Sequence, residues 1–137
     1  MFQHLFRCLG LSLVVTIGIV PVAAHHSFAM FDMDQNVELQ GSVLEYRWGN
    51  PHVHVVIQVP ARPGVDPAVV GSWDLEAAGS TTIMGRQGWT RNTLKTGDPI
   101  RVVVHPLRDG NKGASLFYMI KPDGSRLYTD IARPKAD

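Results

Sequence analysis

The stretch VELQGSVLEYRWGNPHVHVVIQVP, Val37 to Pro60, holds two runs of period-two hydrophobicity separated by a turn. In the second run Val53, Val55, Ile57 and Val59 fall on one face, and His52, His54, Val56 and Gln58 on the other. Side chains alternate faces along a strand, so this run is a half-buried strand with a valine-rich core side. In the first run Val37, Leu39 and Val43 share one face, whereas Leu44, Tyr46 and Trp48 take the opposite parity. That change of phase predicts a β-bulge near Gly41–Val43. Gly49-Asn50-Pro51 is the turn between the runs.

Downstream the same grammar continues. ARPGVDPA is a loop, and VVGSWDLEAA puts Val69, Trp73, Leu75 and Ala77 against Ser72, Asp74 and Glu76. GSTTIMGRQGW breaks the alternation, and Ser80 or Thr81 would cap a short helix over Thr82–Gln87 that Gly88 ends. IRVVVHPL alternates again, RDGNKG is a hairpin loop, ASLFYMI is another strand, and KPDGSRLYTD is a turn with a short last strand. Three strands, a short helix and two strands describe an all-β chain with one helix. The architecture that matches is the small five-stranded barrel of the OB-fold, with an open β-sandwich as the alternative. The expected interior is Val53, Val55, Ile57, Leu75, Ile100, Val102 and Val104, which leaves His52 and His54 outside.

Upstream, MFQHLFR carries the single charge Arg7. CLGLSLVVTIGIVPV (Cys8–Val22) has none, and Val22 and Ala24 are small. A basic start, an apolar run and a small-residue cut site are the layout of a secretory signal. The run is shorter than the roughly 20 residues of a spanning helix. The expected organisation is a signal peptide over 1–24, an N-terminal arm over 25–36, one OB-like barrel over 37–132 and a tail over 133–137. The expected location is periplasmic or secreted, with no membrane association after cleavage. Cys8 is the single cysteine and leaves with the signal, which excludes disulfides, thiolate metal sites and cysteine nucleophiles. The chain has 13 basic and 12 acidic side chains, and loss of Arg7 balances them. No basic stripe is present, so nucleic acid is not an expected partner.

Two close histidine pairs remain, His25 with His26 and His52 with His54. A cut after Ala24 makes His25 the first residue. Its α-amine, with a pKa near 8, and its ring nitrogen can then chelate one ion. A further imidazole completes a three-nitrogen set that suits Cu(II). His52 and His54 lie two apart on a strand and point the same way, roughly 6.5–7 Å apart at Cα. Glu76 and Asp74 fall on the polar face of the next strand, where a carboxylate would serve as ligand or as acceptor for a ring N–H. The candidate metal residues are therefore His25, His26, His52, His54 and Glu76. The plainer readings are a solvated strand face for His52 and His54 and an unstructured terminus for His25 and His26. His105, before Pro106, is expected at a strand end outside the core. The segment from His25 to Val37 reaches on the order of 35–40 Å when extended. It can thus fold back beside His52, with Phe28 or Phe31 packed on the barrel.

With its predicted cut, the terminus resembles that of the histidine-brace copper proteins. The stretches AHHSFAMFD, GSVLEYRWGNPHVHV, WDLEAAG, GWTRNTLKTGDPIRVVVHPLRDG and DGSRLY together resemble a family of small exported bacterial proteins classed as a domain of unknown function. The resemblance covers His25, His26, Asn50, Pro51, His52, Trp73, Glu76, Gly88, Trp89, Leu94, Gly97 and Asp98 as motif positions. It implies export and no particular activity. The expected function is transition-metal binding, with copper as the ion, in a periplasmic carrier, buffer or sensor. Its expected partners are the metal ion and another periplasmic protein. The alternative is an OB-type module that binds a small ligand or protein without metal. A copper-dependent oxidative enzyme is a third reading.

Overall fold

Valine-rich alternation builds the molecule strand by strand. The computed structural model describes residues Phe28 to Thr129. Its main elements are β1 (Val37–Arg47), β2 (His54–Val59), β3 (Gly71–Ala77), α1 (Thr81–Arg86), β4 (Pro99–Pro106), β5 (Gly113–Ile120) and β6 (Arg126–Tyr128). β1 pairs antiparallel with β2 and β4, β2 with β3, and β4 with β5. A parallel pairing of β3 with β5 closes the ring into a five-stranded barrel, and β6 is added outside it on β5. The helix lies between β3 and β4. This is the OB-like barrel expected from the strand order. The β3–β5 ladder excludes the open β-sandwich, which would leave those two edges apart.

Val53, Val55, Ile57, Leu75, Ile100, Val102 and Val104 are all buried, together with Leu39, Val43, Met84 and Leu116. Burying one such side chain is worth about 1.5–3 kcal/mol, so the alternating pattern itself drives closure. Ser80 caps α1 by accepting from Ile83 N at 3.5 Å, one residue ahead of the expected start. Met84 is the one residue of α1 that is buried.

Three local details depart from the sequence reading. The β1–β2 register shifts between Val43 and Glu45, so the bulge sits at Leu44 rather than at Gly41–Val43. The bulge leaves Leu44 exposed and returns Tyr46 and Trp48 to the core side. Gly41 has a different role: a Cβ there would lie 2.0 Å from the Gln58 carbonyl oxygen, so glycine lets β1 press against β2. Val69 belongs to a 3₁₀ turn, Pro67–Val69, and not to β3. Asp66 caps that turn by accepting from Ala68 N at 2.9 Å.

The third departure is His105, and the arm, packed through Phe31 as expected, accounts for it. Phe31 is only 5 % exposed and forms a bridge with Leu107, while Phe28 stays 47 % exposed. Asp32 N donates to Pro106 O at 2.8 Å and Arg108 N to Met30 O at 3.0 Å. The arm therefore runs along the end of β4 and covers it. His105, expected outside the core, is buried at 7 % exposure beneath this cover. Its Nδ1 bonds Gln35 O at 2.8 Å, and its ring lies 5.1 Å from that of Phe117.

Candidate functional site

His54 opens β2, and strand pairing decides what stands beside it. Its register partner on β1 is Arg47 and its partner on β3 is Glu76. Two positions along, Val56 pairs with Asp74. Alternation puts His54, Asp74 and Glu76 on the outer face while Val55 and Leu75 go inward. His52, just before the strand, has the same parity.

The two histidines are held differently. His52 Nδ1 lies 3.2 Å from the Ala77 carbonyl oxygen, to which it donates. Its Nε2 faces Glu76 Oε1 at 3.6 Å. The His52 and Glu76 side chains are only 24 % and 18 % exposed. His54 Nδ1 lies 3.1 Å from Asp74 Oδ1. Asp74 also meets Arg47 Nη2 at 3.5 Å through Oδ2, and Arg47 Nε reaches Glu45 Oε1 at 3.2 Å. The face thus holds two imidazole–carboxylate pairs, the less exposed of them at His52 and Glu76.

The turn before His52 is anchored to the helix. The Asn50–Pro51 peptide is cis. Asn50 Oδ1 accepts from Thr81 N at 3.2 Å and from Thr81 Oγ1 at 2.8 Å. Turn, strand and carboxylate enclose an open cleft of about 370 Å³ lined by Arg47, Asn50, Pro51, His52, His54 and Glu76. A smaller hollow of about 150 Å³ shares His54 and Glu76 with it and adds Met30, Phe31 and Asp74. The arm is therefore one wall of the space beside the histidine face.

Of the candidate residues, His52, His54 and Glu76 come together on this face. His25 and His26 lie outside the described residues. Among the described residues no group of three His, Cys, Asp or Glu side chains is close enough to hold a metal ion. Sequence reasoning did not single out Arg47, because its place beside His54 and Asp74 depends on the β1–β2 register across the bulge. A charge at the end of the strand before the turn was the available signal.

Residues 13–116 match the model of a family of unknown function, DUF6152, and the chain belongs to that family. No curated protein and no solved structure matches the chain.

Proposed function

We propose that this DUF6152 protein is an exported transition-metal-binding protein, with copper as its ion, acting as a periplasmic carrier, buffer or sensor. The observation that carries the reading is the way His52 is held. Its Nδ1 is taken by the Ala77 carbonyl, and its Nε2 faces Glu76 at the wall of an open cleft. Histidine ligands to metals characteristically have their other ring nitrogen held in this way.

The described face alone offers too few donors, so the remaining nitrogens come from His25 and His26. Phe28 lines a hollow together with Ala78, the neighbour of the residue whose carbonyl holds His52. Phe28 is three positions from His25, a reach of roughly 10 Å. Cleavage after Ala24 gives His25 a free α-amine and so a chelating pair of nitrogens. An amine and imidazoles with a carboxylate suit Cu(II) by ligand type. His54 is a further imidazole on the same face, paired with Asp74.

The shortage of donors among the described residues also favours a second reading, in which the cleft binds a small ligand or a protein partner without metal. Titration calorimetry separates the two. Protein beginning at His25 is expected to bind one Cu(II) with a dissociation constant below about 1 μM. His52→Ala and Glu76→Gln are expected to weaken binding by at least tenfold and by about three- to tenfold respectively. Binding weaker than micromolar in the parent, or equal in parent and His52→Ala, rejects the metal site and leaves the second reading.

A further inference from the structure

We infer that the protein has a second ligand site, remote from the histidines, that takes a small organic monoanion with an apolar body. The site lies where the barrel seam opens. β4 extends back to Pro99 and β5 forward to Ile120, but the ladder between them stops at Val102–Met119. Beyond that pair β5 turns away into its hairpin with β6, closed by Lys121 N to Ser125 O at 2.8 Å. The strands part, and a cavity of about 430 Å³ opens between them. That volume is within the roughly 300–1,000 Å³ typical of small-molecule sites.

The lining sets the ligand class. Leu94, Ile100, Met119 and Ile120 supply apolar wall, and Arg101 and Lys121 supply positive charge. Arg101 is held by Glu38 from the neighbouring strand. Lys121 makes no ion pair among the described residues, and Asp123 feels its charge only at longer range. The acid at the rim, Asp98, has Oδ2 occupied by Lys95 N at 2.8 Å. Gln40 accepts from Arg62 through Oε1, which leaves its amide N–H₂ to donate. An ammonium with no ion pair among the described residues and a spare amide donor beside an apolar wall match a carboxylate head on a hydrocarbon body. None of these residues lines the histidine cleft, so the two sites stand or fall separately.

The test is a titration of the protein with sodium hexanoate, followed by two-dimensional amide NMR, with hexylammonium as the charge control. Hexanoate is expected to shift the resonances of Leu94, Arg101, Met119 and Lys121 saturably, with a dissociation constant on the order of 1 mM or tighter. Hexylammonium should not shift them. Lys121→Met keeps the apolar stem and removes the charge, and it should weaken hexanoate at least fivefold. Arg86→Glu, an exposed change on the helix, should leave binding unaltered. Each variant's spectrum reports its own folding. Absence of saturable shifts, equal binding of hexylammonium, or full affinity in a folded Lys121→Met overturns the proposal.

Discussion

At the scale of the residue, two side chains show how surroundings set chemistry. His52 is an ordinary outward strand-end histidine until Ala77 O takes its Nδ1, which leaves its Nε2 facing Glu76 at the cleft wall. Tyr46 is the second. Packed against the core by the Leu44 bulge, it donates its hydroxyl to Thr90 O at 2.9 Å. Burial raises its phenol well above the ordinary value of 10.0 by penalising the charged form. The folded state therefore holds this proton more tightly than the unfolded chain does. The resulting stability is whole below pH 10 and is lost as pH rises through the folded-state value. In urea melts, the parent should lose stability relative to Tyr46→Phe as pH climbs past 10. A parent-minus-variant difference that stays constant across that window would show that the phenol is not desolvated.

At the scale of the element, the arm is the piece whose behaviour depends on one contact. Phe31 is buried against β4 and bridges Leu107, while its neighbours Met30 and Met33 are exposed. Phe31→Ala removes most of the apolar area that fixes the arm, a loss of about 2–4 kcal/mol for a ring of this burial. Amide exchange at Asp32 and Arg108, whose N–H groups bond Pro106 and Met30, should accelerate by at least tenfold in this variant. Unchanged exchange there would mean that the backbone bonds alone hold the arm. The strands themselves were legible because β2 and β3 alternate cleanly, so Val53 to Val59 and Trp73 to Ala77 declared their core face. The bulge was misplaced by one or two residues because its position depends on which residue opposes Ile57 and Val56, a matter of pairing. His105 was read as outside because alternation cannot see a cover supplied by residues 70 positions away in sequence. Arg47 escaped for the same reason, while His52, His54 and Glu76 were found because their parity alone puts them on one face.

At the scale of the whole molecule, a closed barrel gives the histidine face a rigid base. Strands β1, β2 and β3 hold Arg47, His54 and Glu76 in one row, and the ladder between β3 and β5 keeps that row from splaying. Leu75, fully buried between the two carboxylate-bearing residues Asp74 and Glu76, supports it from within. Leu75→Ala should cost about 2–5 kcal/mol in a single cooperative transition. A cost under about 1 kcal/mol would mean the core does not pack as described. The central claim is that this rigid face, through His52, supplies one nitrogen to a copper ion whose other nitrogens come from the terminus. Electron paramagnetic resonance of protein beginning at His25, loaded with one equivalent of Cu(II), tests it most directly. The claim predicts one nitrogen-rich copper species whose superhyperfine pattern loses a nitrogen in His52→Ala. A spectrum of aqueous Cu(II), or one identical in parent and variant, would contradict it.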